Sequence, residues 1–272
     1  MEMKMTPAFA SPSFAKRLKG MLGVDFYRLF HTPLFYIMLV ISGIIPALIL
    51  TSGTMGSDGG ALYTKAWNII AADSPLYIIS DIGEYANMNM VFIFGGIMVS
   101  IFIGHDYNSG YVKQLFTTHS HKIDYMMSKS IACAFAMACM CVVYAIVSAG
   151  AGLVSGLSMQ VSVGSLLIAI FGKIVMSLGW ASLYTFLNVV FRRYFGISIG
   201  ASFFIGTGIP IIGAAAILGN NSALNIFLYG SSVNACLSGN ILTLGTCIIV
   251  SVVWAVIYNL LGTVVLSRSD VY

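Results

Sequence analysis

The groups best suited to chemistry crowd into residues 104–129, the run G-H-D-Y-N-S-G-Y-V-K-Q-L-F-T-T-H-S-H-K-I-D-Y-M-M-S-K. Three of the four histidines fall here (His105, His119, His121), together with Asp106, Asp124, Lys113, Lys122 and Lys129. Imidazoles beside carboxylates raise two possibilities, a metal site and acid–base work. For a metal, His119 and His121 with His105 are the best candidates. Two histidines two positions apart, however, point to different sides of a helix, and no cysteine or carboxylate cluster joins them. The expectation is no metal site, with the histidines standing beside a partner. Acid–base work by His105 and Asp106 would make the chain a membrane-embedded, lipid-modifying enzyme, which stands as one alternative.

Other catalytic patterns are missing. No GxxxxGK[ST] occurs, so the chain carries no ATPase of its own, and neither HExxH nor GxSxG is present. The acids that could pair for hydrolysis lie far apart in loops, and no catalytic residue is expected. Of the five cysteines, Cys133, Cys139 and Cys141 sit in an apolar helical run, while Cys236 and Cys247 are isolated. They read as small buried hydrophobes.

The elements that must position the 104–129 stretch follow from composition. Of 272 residues, 58% are hydrophobic and 8% charged, against roughly 25% charged in soluble domains. With mean hydropathy at +0.93, most of the surface must face lipid. The fold expected is all-α: a single polytopic membrane domain over 1–272 with six transmembrane helices, and no nucleic-acid partner. No cleavable signal peptide is expected in the first thirty residues, which alternate basic and apolar positions.

Residues 13–31 read as an amphipathic helix lying on the membrane surface. Phe14, Leu18, Met21, Leu22, Phe26, Leu29 and Phe30 recur at spacings of three and four, with Lys16, Arg17 and Arg28 off the stripe. Asp25 falls within the stripe and calls for a partner, Arg28 at i+3 being the nearest. The six spans are placed at 33–51, 89–104, 126–150, 174–191, 195–218 and 241–266, each near the roughly 20 residues a crossing needs. Pro46 suggests a kink in the first, and Gly206-Thr-Gly-Ile-Pro210 a kink in the fifth. Residues 219–240, polar but uncharged, read as a short helix dipping into the interface.

With six spans both ends share a side. That side holds eleven of the thirteen basic residues: Lys4, Lys16, Arg17, Lys19, Arg28, Lys113, Lys122, Lys129, Arg192, Arg193 and Arg268. The excess of basic loops places both termini and the 104–129 stretch in the cytoplasm of a bacterial cell membrane. Lys65 and Lys173 remain for the other side. Lys173 interrupts the apolar region 161–191, so a lead-in segment to residue 172 is expected before the fourth span. This puts Lys173 near the outer interface; the other placement faces it into a central cavity, as a candidate pathway residue. A carrier driven by an ion gradient generally needs a midplane acid, and none is evident; that reading is a second alternative.

Within the opening stretch, residues 109–118 form a short amphipathic helix with Tyr111, Val112, Leu115 and Phe116 on one side and Lys113 and Gln114 on the other. A basic amphipathic segment precedes span one, Asp106 ends span two, Ser109-Gly110 precedes the short helix, and Tyr125, Ser128 and Lys129 open span three. In this arrangement the chain resembles the permease subunits of ABC-2 type ATP-binding-cassette transporters, over nearly its whole length.

The resemblance implies that residues 109–118 act as a coupling helix. It would dock on a separate cytoplasmic nucleotide-binding subunit, where ATP and Mg are bound and hydrolysed, this chain holding no cofactor. Asp106, Ser109, Gly110, Tyr111, Val112, Lys113, Leu115 and Phe116 would be its coupling residues, the apolar ones as anchor. It further implies a second permease subunit, identical or related, and a re-entrant region near 219–240. Among small Gram-positive permeases of this type many export or expel antimicrobial peptides and other amphiphiles, so export of such a substrate is the implied function.

Overall fold

A computed structural model describes residues 13–53, 90–117, 121–154, 163–192, 194–210, 226–237 and 241–268. The described residues form helices and turns, without a strand. In chain order the helices are α1 (Phe14–His31), α2 (Pro33–Gly53), α3 (Met90–Asn108), α4 (Tyr111–Thr117), α5 (Lys122–Val154), α6 (Val163–Val190), α7 (Phe195–Gly206), α8 (Leu228–Leu237) and α9 (Ile241–Arg268).

Four of these, α3, α5, α6 and α9, contain stretches long and apolar enough to cross a membrane. A fifth crossing is possible if α1 and the first part of α2, bent by 64° to one another, count as one span. The chain is therefore an all-helical membrane-type protein with four or five candidate spans among the described residues. The expected six would also need α2 to cross alone and α7 to be completed by residues 211–218, which lie outside the described set. So do residues 54–89.

The bend between α1 and α2 has a local cause. Thr32 precedes Pro33, and the proline ring disfavours helical geometry in the residue before it. Thr32 is accordingly extended (φ −93°, ψ 121°), and its hydroxyl donates to the Arg28 carbonyl at 2.6 Å. Proline then opens α2, where its missing N–H costs nothing. Helix α2 continues past Pro46 to Gly53. Where a kink is expected, at 206–210, α7 ends at Gly206 and Gly208 has φ +75°, a left-handed geometry that suits glycine.

Helix α6 lies centrally, packed on α5 and α9 and also on α3, α7 and α8. It runs unbroken through Lys173, so the expected lead-in segment and fourth span are one helix. Its Trp180 stacks on Phe92 of α3 at 5.4 Å and leans on Tyr184 at 5.5 Å. Hydroxyls and amides join the helices where apolar packing alone gives little preference between partners. Asn188 of α6 donates to Ser100 of α3 and accepts from Ser198 of α7 at 2.6 Å, while Ser100 also bonds Ser202. Asn259 of α9 is linked to Ser130 of α5 and Ser182 of α6.

A second, smaller apolar cluster shows which helix ends lie together. Val112 (α4), Tyr125 and Met126 (α5), Val189 (α6) and Leu266 (α9) are buried against one another. The start of α5, the ends of α6 and α9, and all of α4 thus share one end of the bundle. Lys113, Lys122, Lys129, Arg192 and Arg268 gather at that end, where α1 is also tied.

Candidate functional site

At that end α3 stops and the chain reverses into α4. Ser109 N–H donates to the His105 carbonyl at 2.9 Å and Gly110 N–H to the Tyr107 carbonyl at 3.2 Å, closing the helix. Gly110 has φ +72°, a conformation that costs other residues roughly 1–2 kcal/mol. Its carbonyl then accepts from Gln114 N–H, which begins α4. The Ser109 hydroxyl faces the Asp106 carbonyl at 3.4 Å.

Helix α4 lies with its apolar side on its own protein. Val112 is fully buried, Leu115 and Phe116 are half-buried in the small cluster, and Phe116 meets Tyr125 edge-on at 5.6 Å. Tyr111 presents its ring to the Arg28 guanidinium at 4.4 Å and to the Lys129 ammonium at 5.7 Å. Lys113, Gln114 and Thr117 are exposed. The surface this helix offers to a partner is therefore mainly polar, with parts of Leu115 and Phe116 at its margin.

Beneath Tyr111 lies a buried charge network. Lys129 of α5 reaches Asp25 of α1 and Asp106 of α3, each at 2.6 Å, and all three residues are essentially solvent-free. Asp25 also accepts from Ser128 at 2.5 Å. Arg28 of α1 is ion-paired with Asp106. Burial works against the Arg28 charge, but the hydrogen bond and field of Asp106 outweigh it and raise the guanidinium's pKa. Phe102 offers a further ring face to Lys129 at 4.6 Å. More than two turns before Asp25 on α1, Arg17 bonds Asp124 at 2.8 Å.

Two carboxylates and two cations balance in the inner network, which matters because an unmatched charge there would carry the full desolvation cost. The network joins α1, α3 and α5, and Tyr111 brings α4 into contact with it. Asp25 therefore does not pair with Arg28 as its spacing suggested. Both residues lie on the side of α1 turned to the bundle, and each finds its partner on another helix.

The other expected residues are dispersed. His105 is exposed whereas the adjacent Asp106 is buried, so the two do not face a common site. His121 is exposed at the start of α5, and His119 lies outside the described residues. No group of three His, Cys, Asp or Glu with metal-holding geometry occurs among the described residues.

Lys173 is fully buried within α6, its ammonium 5.7 Å from the Phe92 ring centroid. It precedes Val189 by sixteen residues, so at a rise of ~1.5 Å per residue it stands roughly 24 Å from the level of α4. It is neither a neighbour of the charge network nor exposed at a helix end.

Sequence reasoning singled out Asp106, Tyr111 and the short helix but missed the link through Asp25, Arg28 and Lys129. The signal was there: an acid in an apolar stripe and a lysine inside an apolar helix each call for a buried partner. Compared with known proteins, the chain matches no family model and no curated protein.

Proposed function

We propose that this chain is the membrane-spanning permease subunit of an ABC-2 type ATP-binding-cassette transporter. It would form the substrate pathway with a second permease subunit and take its energy from a separate cytoplasmic ATPase. The observation that carries this reading is the seating of α4. A seven-residue helix stands at the basic end of a membrane-type bundle, with exposed Lys113, Gln114 and Thr117 outward. Its inner side rests on a charge network shared by three longer helices. A push on α4 would be passed to α1, α3 and α5 together, as coupling to an external motor requires.

The gathering of basic residues at that end supports a cytoplasmic placement for it, and so for the start of α1 and the end of α9. ATP and Mg would be bound by the partner. The substrate class proposed is an amphiphilic peptide or drug-like molecule, and export the direction. One observation favours a second reading. Lys173 is a buried ionisable residue deep in an apolar helix, which suits a pathway residue. Among the described residues it is the one feature a gradient-driven carrier could use in place of a midplane acid.

Affinity purification of the full chain from its native membrane in mild detergent tests the first reading. The expected result is a co-purifying P-loop protein and ATP hydrolysis in the eluate. A chain that purifies without an ATPase, yet transports under a proton gradient in liposomes, would replace it with the second.

A further inference from the structure

We infer that the groove between α5, α6 and α9 holds an acyl chain of an anionic phospholipid from the leaflet at the basic end of the bundle. Ile123, Met127 and Ile131 of α5, Leu178 of α6, and Val252 and Val256 of α9 line it, enclosing about 280 Å³. On α5 the lining runs over residues 123–131, a rise of roughly 12 Å. This approaches the ~15 Å of hydrocarbon in one leaflet. Residue 123 lies at the basic end, so the groove begins at that interface and points toward the midplane.

The polar atoms in its wall are already occupied. Ser130 Oγ donates to Asn259 Oδ1 at 3.0 Å, and Asn259 Nδ2 donates to Ser182 Oγ and to the Ala255 carbonyl. The Ser182 hydroxyl donates to the Leu178 carbonyl at 2.8 Å. A hydrocarbon chain in the groove strands none of these groups, whereas a peptide or sugar would bring polar atoms that find no partner.

The mouth carries the opposite chemistry. Lys122, next to Ile123, donates to the Leu266 carbonyl at 2.7 Å, which uses one of its three N–H bonds. Arg268, two residues beyond Leu266, is exposed in the last turn of α9. Asp124 does not cancel them, being buried and bonded to Arg17. Two cations at the interface with an apolar slot behind them match a phosphate with its chain. The assignment does not depend on the transporter reading.

Native mass spectrometry of the purified full chain tests it, with dioleoyl phosphatidylglycerol and dioleoyl phosphatidylcholine supplied in equal amounts. Wild type is expected to retain phosphatidylglycerol in preference. Val256→Trp, which fills the slot from its exposed rim, should abolish retention of either lipid, and Leu260→Trp provides a second filling variant should the first fail to fold. Lys122→Gln with Arg268→Gln should keep a bound chain while lowering the headgroup preference by roughly tenfold. Retention unchanged in a folded slot-filling variant overturns the proposal. So does a dimer in detergent that Val256→Trp splits while lipid retention stays as in wild type, because the groove is then a protein interface.

Discussion

Lys129 and Asp106 lie 2.6 Å apart at the junction of α5 and α3, both excluded from solvent, and Asp25 of α1 holds the same ammonium from its other side. A single lysine thus joins three helices at the end of the bundle where α4 sits. Its removal leaves two buried carboxylates facing Arg28 alone. Lys129→Met is therefore expected to destabilise the protein by about 3–5 kcal/mol, as breaking a buried pair from one side does. Thermal unfolding in detergent measures this. A loss below roughly 1 kcal/mol would place the network in the range of a surface pair. Asp106→Asn should cost a similar amount, and the double variant should cost less than the sum because the two share one interaction.

Gly110 separates backbone conformation from packing. A Cβ at this position would meet nothing within 4 Å, so the only penalty for Gly110→Ala is its φ of +72°. The expected cost is about 1–2 kcal/mol. Gly110→Asn should recover part of it, since asparagine tolerates left-handed geometry. Equal stability for alanine and glycine would mean that the turn after α3 has another form.

The two sides of α4 should give separable results. Val112→Asp places a charge in a buried site against Tyr125 and Leu266 and should lower the melting temperature sharply. Lys113→Glu, on the exposed side, should leave stability within about 0.5 kcal/mol. Under the proposed coupling role, Lys113→Glu should still reduce ATPase co-purification. Full recruitment and transport by this variant, and by Leu115→Asp and Phe116→Asp, would remove α4 from the coupling interface.

Orientation is open to cysteine labelling. Leu242 near the start of α9 and His105 near the end of α3 are both exposed and stand at opposite ends of their helices. In a variant whose native cysteines are replaced, a membrane-impermeant maleimide should label Leu242→Cys in intact cells. His105→Cys should react only after the membrane is opened. The reverse pattern would invert the bundle and place the α4 end outside.

The sequence by itself determined the class of molecule. A charged fraction of 8% and long apolar runs leave only helices that bury or face lipid, because unsatisfied backbone polar groups are too costly in hydrocarbon. It also marked local features set by near neighbours: the boundary between the helices at 31 and 33, the Ser109-Gly110 pair and the short helix that follows. The tertiary structure decided what depends on contacts between distant segments. Helical periodicity showed that Tyr111, Val112, Leu115 and Phe116 share a side, but whether that side meets a partner or the chain itself is a matter of helix placement. Here it meets the chain. Asp25 and Lys129 are 104 residues apart, and Lys173 is surrounded by α3 as well as its own helix. A buried charge announces that it has a partner; only the packing of the helices names it.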